Sequence, residues 1–176
     1  LRADLRAGDL VRPARILRDP PAAAVAAAAA EQARVLDGLR AAGQIAHGGP
    51  LLTVDAPLRT PADKRRAAAE TGAVAVDMEA AGMAEAAAEL GIPWLALKVI
   101  LDPVDRPLDG RLARCSTPAG NLRWPGILAV LTEGPEARRL LRDMGRAARL
   151  AAASLARGLD AALRAWPERQ AGRMPR

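Results

Sequence analysis

The sequence predicts an α/β fold, and three observations carry that prediction. Short apolar runs of strand length, "AVAV" at 73–76 and "WLALKVI" at 94–100, alternate with longer segments of strong helix propensity. Gly72, Gly91 and Pro93 stand at the joints between them. The 176 residues are 51% hydrophobic, enough for one domain to bury a core, although much of that content is alanine.

The elements follow in chain order. "AGDLVRPARIL" turns at Gly8 and Asp9 and continues as a short strand, which Pro13 interrupts; that places it at a sheet edge. Residues 22–42 read as a helix with Val25, Val35, Leu36 and Leu39 as its apolar stripe and Gly43 as its C-terminal cap. "GGPLLTVD" (48–55) is the next strand. Thr60, Pro61 and Asp63 supply a cap, a proline at the first helical position and an acid three residues after the cap, starting a helix that ends at Gly72. After the 73–76 strand, a helix over 79–90 places Met83, Ala87 and Leu90 on one face, and Gly91 and Pro93 close it. With the 94–100 run, this gives a strand–helix–strand unit, for which parallel pairing and a right-handed crossover are expected. Residues 103–126 are rich in Pro, Gly and Asp and read as a long loop of the length often used as a lid. From Pro135 one long helix or two consecutive helices follow, with Leu140, Leu141, Met144, Leu150, Leu155, Leu159 and Leu163 as the apolar side. Residues 1–166 form one domain in this reading, and 167–176 a polar tail.

Composition excludes several function classes. Cys115 is the single cysteine and His47 the single histidine, so neither a disulfide framework nor a Cys- or His-based metal site is expected. Phe and Tyr are absent, and three tryptophans (Trp94, Trp124, Trp166) make no stacking row for single-stranded nucleic acid. The formal charge of +6 comes from arginines gathered in the last third, which read as a solvated helix face with at most peripheral contact to an anionic membrane surface. With no long apolar span and no leader pattern in "LRADLRAGDL", a cytoplasmic protein is expected. The chain opens at Leu1 inside what reads as a turn before a strand, which suggests the later part of a longer protein.

Three carboxylates stand where apolar runs stop: Asp77 and Glu79 after the first, Asp102 after the second. Asp77 alone is most simply a helix cap, worth about 1 kcal/mol. Glu79 suits the positive end of a helix, and Asp102 before Pro103 suits a turn. Under parallel pairing all three share one sheet edge, the edge where α/β sheets bind ligands.

The stretch "TGAVAVDMEAAGMAEAAAELGIPWLALKVILD" resembles the signature region of the nucleoside phosphorylase and nucleosidase superfamily, at Gly72 to Glu79, Gly91 to Pro93 and Asp102. "LRAGDLV", "GGPLLTVD", "TPADK" and "WPGILAVL" are similar to its flanking pieces, and together look most like the branch that releases adenine from adenosylhopane in hopanoid biosynthesis. The resemblance implies a three-layer αβα fold with a central mixed sheet, a homo-oligomer, no cofactor, and phosphate as co-substrate. It implies that Asp102 protonates or hydrogen-bonds purine N7 as the catalytic acid, after desolvation adapts it to that role. Glu79 would accept from the ribose hydroxyls, Met78 would pack on the sugar, and Asp77 would line the same pocket.

The departures also matter. Leu101 stands where relatives carry Ser or Thr before the acid, and Lys98 where many carry Arg; Lys98 reads first as paired with an acid and second as an anion contact. Base stacking falls to Trp94, Trp124 or aliphatic residues. The segment that carries the first strand and a Gly-rich phosphate loop in relatives is not in this sequence, which predicts an N-terminally truncated member. His47 and Cys115 read as inert. The rival readings are a nucleosidase for small adenosine thioethers, a non-catalytic truncated relative, and, on charge alone, a nucleic-acid binder.

Overall fold

The computed structural model describes residues 1–19, 25–26, 29–115 and 122–166. The predicted polar tail lies outside the described residues. The elements are β1 (Leu10–Arg18), β2 (Val25–Ala26), α1 (Ala29–Ala41), β3 (Ala46–Thr53), α2 (Pro61–Thr71), β4 (Ala75–Asp77), α3 (Ala80–Glu89), β5 (Lys98–Val99), a 3₁₀ turn (Gly110–Arg114), α4 (Trp124–Thr132) and α5 (Pro135–Ala165). The sheet runs β2-β1-β3-β4, with β5 also paired to β1.

The sheet is mixed: β1, β3 and β4 are parallel, whereas β2 and β5 lie antiparallel to β1. Strand alternation divides the core. Val11, Ile16, Leu51 and Ala75 face α3 through its buried Ala80, Ala81 and Ala84. Leu17, Leu52 and Val76 gather on the opposite side with Ala67 of α2, and α1 meets α5 through Val35, Leu39, Ala161 and Ala162. Gly158 of α5 comes so close to Leu10 that a Cβ there would lie 2.7 Å from a Leu10 methyl group. The expected α/β fold with a central mixed sheet between helical layers is therefore present.

Local signals held where the chemistry is local. Thr60 caps α2 by accepting from the Asp63 backbone N–H at 3.1 Å, and Gly72 closes the helix at φ 68°. Gly43 ends α1 at φ 67°, its N–H bonded to the Arg40 carbonyl.

Five expectations are corrected. β1 is internal to the sheet, not at its edge: Pro13 falls at a register shift against β3, and on the other side in the gap between β5 (paired at Leu10 and Val11) and β2 (paired at Arg15 and Ile16). Its missing N–H is thus tolerated. Val25 lies in β2 and not in the predicted helix, whose residues 22–24 and 27–28 lie outside those described. The 94–100 run forms only the two-residue β5, antiparallel to β1, so no parallel crossover joins β4 to it. On α3 the alanines face inward, leaving Met83 and Leu90 exposed, and on α5 Ala137, Ala147, Ala151 and Gly158 are buried while Leu150, Leu159 and Leu163 are exposed. Small residues allow close helix–sheet approach, which the larger side chains would prevent. Finally, α4 starts at Trp124, inside the expected loop.

Candidate active site

A cleft of about 310 Å³ lies between the β4–α3 junction and the segment after β5. Asp77, Met78, Glu79 and Asp102 all line it, with Lys64 and the aliphatic residues Ile100 and Leu101. The juxtaposition expected from parallel strands is thus reached by another route.

Asp77 is the last residue of β4, and its carboxylate is fully engaged. Oδ1 accepts from Thr53 Oγ1 at 2.7 Å, and Oδ2 accepts from the Ala80 N–H at 3.1 Å and pairs with Lys98 Nζ at 2.5 Å. Thr53 Oγ1 in turn accepts from the Ala81 N–H at 3.1 Å. One carboxylate and one hydroxyl therefore satisfy two of the unpaired N–H groups at the start of α3. Asp77 lies two residues before the N-cap position of Glu79, and it serves the start of α3 through the Ala80 N–H while pairing with Lys98, close to the simpler of its two sequence readings.

Glu79 is the freer carboxylate. Its side chain is 69% exposed, with Lys98 Nζ 3.9 Å from Oε2. A weak contact from the Met78 N–H at 3.4 Å leaves most of its acceptor capacity open to the cleft. Met78 beside it is half-exposed.

Asp102 sits in the turn after β5, its side chain 22% exposed. Its Oδ2 is 2.5 Å from Nζ of Lys64, whose side chain is 3% exposed. The same ammonium donates to the carbonyls of Pro103 at 3.0 Å and Arg106 at 2.7 Å, using all three of its donors. Asp102 is thus partly buried against a buried cation.

Lys64 and Thr53 are the two site residues that sequence reasoning passed over. Both lie inside quoted motifs, "TPADK" and "GGPLLTVD", which were read for capping, strand character and family resemblance without a role for either residue's side chain in the cleft. A signal for Lys64 was available: among 26 Lys plus Arg residues, Lys64 and Lys98 are the only lysines, and each pairs with a carboxylate of the cleft.

Other candidates fall away. Trp94 packs on the core beneath α3, and Trp124 is exposed on α4; neither lines the cleft, whose walls are aliphatic. His47 Nδ1 contacts the Arg2 guanidinium at 3.2 Å. Cys115 is buried against Val130 and Ala137.

The family model described as the phosphorylase superfamily matches residues 1–117. The chain belongs to the phosphorylase superfamily. Among solved structures, it is similar to a 5′-methylthioadenosine/S-adenosylhomocysteine nucleosidase from Helicobacter pylori (19% identity, TM-score 0.55, covering 59% of this chain and 51% of that one). A futalosine hydrolase mutant from Helicobacter pylori matches at 19% identity and TM-score 0.56, covering 61% of this chain and 54% of that one. A putative 5′-methylthioadenosine/S-adenosylhomocysteine nucleosidase from Francisella philomiragia matches at 20% identity and TM-score 0.53, covering 58% and 51%. At such identity the likeness concerns the fold. The chain spans about half the length of these solved relatives. No curated protein matches it. Among the described residues no group of three or more His, Cys, Asp or Glu is placed to hold a metal ion, and no helix is long and apolar enough to cross a membrane.

Proposed function

We propose that this phosphorylase-superfamily chain cleaves a purine N-glycosidic bond, releasing adenine from a 5′-substituted adenosine. The observation that carries the reading is that Asp102 and the Asp77–Met78–Glu79 segment line one cleft. In this reading Asp102 hands a proton to, or hydrogen-bonds, purine N7 so that the base leaves neutral. Glu79 accepts from the ribose hydroxyls and Met78 packs on the sugar ring, a contact its soft thioether suits as positive charge develops there. Asp77 shapes this wall through the cap of α3. Ile100 and Leu101 offer aliphatic surface to the base, in place of aromatic stacking.

A cleft of about 310 Å³ is at the lower end of the range for small-molecule sites, so a large 5′ group would extend outward past half-exposed Met78 and Leu101. That suits the substrate favoured by the sequence resemblance, adenosylhopane, with phosphate as nucleophile and no other cofactor. A lipid-linked substrate would also suit peripheral contact with a membrane surface through the Arg-rich α5. Exposed Met83, Leu90, Leu128 and Leu150 support assembly as a homo-oligomer.

One observation favours a second reading, hydrolysis. The cations that line the cleft are matched by carboxylates, Arg2 with Asp4 and Lys64 with Asp102, as is neighbouring Lys98 with Asp77, each at 2.5 Å. Neutralised cations attract phosphate weakly, whereas water needs no such field. The test is adenine release, by chromatography, from adenosylhopane and methylthioadenosine, with and without phosphate, for the chain and its Asp102→Asn variant. Phosphate-dependent release, lost in the variant, supports phosphorolysis; phosphate-independent release supports hydrolysis; no release from either substrate defeats both and leaves a binding or assembly role.

A further inference from the structure

The buried ion pair of Lys64 carries an inference that rests on the proposed glycosidic cleavage and deepens it. We propose that Lys64 is a positioning residue for leaving-group protonation: its ammonium fixes the Asp102 turn and holds Oδ2, so that Oδ1, carrying a proton taken up from solvent, is presented to purine N7 and transfers that proton as the C1′–N9 bond breaks.

Lys64 is the fourth residue of α2, a position where a helix meeting the core would ordinarily carry an aliphatic residue. It is instead an ammonium 2% exposed. Burying a charge is costly unless it is paired and fully hydrogen-bonded, and even then desolvation offsets much of the attraction. Such a pair is therefore better understood by the geometry it enforces than by the stability it adds. The geometry here is specific. Three donors of one ammonium take Asp102 Oδ2 and the carbonyls of Pro103 and Arg106, closing the 102–106 turn around a single point. Asp102 Oδ1 accepts no hydrogen bond among the described residues, and Asp102 lines the cleft. A chain that uses arginine for its cations at every position but Lys64 and Lys98 places lysine here, where three convergent acceptors suit a compact ammonium better than a planar fork.

Leaving-group chemistry provides the test. Adenine needs protonation to leave as a neutral base, whereas p-nitrophenolate leaves as a stable anion without an acid. The chain, Lys64→Met, Asp102→Asn and the double variant are assayed with methylthioadenosine and with p-nitrophenyl β-ribofuranoside, and their thermal unfolding is recorded. A small misplacement of a catalytic group costs about 100-fold. Lys64→Met is expected to lower kcat for adenine release by about that factor with KM changed less than about 3-fold, and to keep most nitrophenyl cleavage. The double variant is expected to be no slower than Asp102→Asn, because Lys64 acts only through that carboxylate. Equal loss on both substrates, or losses that multiply in the double variant, overturns the positioning role and leaves a structural one.

Should Lys64→Met fail to fold, Lys64→Gln keeps an N–H donor toward the turn without the charge. Normal adenine release in a folded Lys64→Gln overturns the proposal, and selective loss on the adenine substrate supports it. The two failures are distinguishable: an unmodified chain that cleaves neither substrate defeats the functional reading and this role with it. A chain that releases adenine while its Lys64 variants do so equally well defeats the role alone.

Discussion

Replacing Thr53 by valine removes one hydroxyl from a buried position while keeping the shape of the side chain. That hydroxyl donates to Asp77 Oδ1 at 2.7 Å and accepts from the Ala81 N–H at 3.1 Å, and Thr53 is 3% exposed. A hydrogen bond to a charged group contributes about 1.5–3 kcal/mol, and stranding a buried N–H costs about 1–3 kcal/mol more. The added methyl recovers about 0.8 kcal/mol of apolar burial. A net loss of about 3 kcal/mol is expected, which for a chain of this length lowers Tm by about 6–12 °C. Thermal and urea unfolding followed by circular dichroism measure it, with an unchanged m-value confirming that the unfolding reaction is the same. A loss below about 1 kcal/mol would refute the reasoning, because it would mean that the start of α3 is held without this hydroxyl. The same variant separates the two roles of Asp77: as a cap partner, it transmits the damage into stability before any effect on substrate affinity.

Three further outcomes are expected. Asp109, bonded by Arg111, is held down to about 2 and caps the 3₁₀ turn through the Arg111 N–H at 2.9 Å. A carboxylate depressed in the folded state stabilises above its unfolded value and loses that contribution as pH falls through the folded one, so Asp109→Asn should lower Tm at neutral pH, by a small amount because solvent screens the pair. The Tm difference from the unmodified chain should close between about pH 4 and 2; a gap unchanged over that window would contradict the assignment. Glu79→Gln should lower kcat/KM for purine nucleosides by about 100-fold, as loss of a transition-state acceptor does, without altering Tm, because its side chain is mostly exposed. An ideal Cβ at Gly126 would lie 1.8 Å from the Arg114 carbonyl oxygen, so Gly126→Ala should separate α4 from the 3₁₀ turn and cost about 3 kcal/mol in urea unfolding.

Legibility in the sequence followed the range of the interactions. Thr60, Gly72 and Gly43 were readable because a cap or a left-handed residue is decided within one turn of helix. The faces of α3 and α5 were misread because hydrophobicity alone favours Met83, Leu90 and the leucines. The packing instead selects Ala80, Ala81, Ala84 and Gly158, whose small side chains permit close contact with β1 and its neighbours. Pro13 argued for an edge, and the argument was sound as far as hydrogen bonds go; what it could not include was a gap between two short antiparallel partners on one side of the same strand.

The cleft itself shows how residues grouped by a mistaken topology still come to line one cavity. Asp77 and Asp102 were brought together in the sequence reading by supposing that β4 and β5 are parallel neighbours. In the structure β5 is antiparallel to β1, and the carboxylates share a cleft because each is held by a lysine: Asp77 by Lys98 of β5, and Asp102 by Lys64 of α2. Lys98 reaches from the strand that precedes Asp102 to the carboxylate that ends β4, and so ties the Asp77 side of the cleft to the Asp102 side directly. Lys64 ties the Asp102 side to α2, the helix that leads into β4 through Gly72. The two ion pairs add direct links across the cleft to the indirect one that runs from β5 through β1 and β3 to β4. Breaking the Lys98 pair should therefore disturb the Asp77 side of the cleft: Lys98→Met is expected to lower adenine release through Asp77 and Glu79 even though Lys98 itself need not touch the base. A Lys98→Met chain that folds and releases adenine at an unchanged rate would show that the walls are held independently.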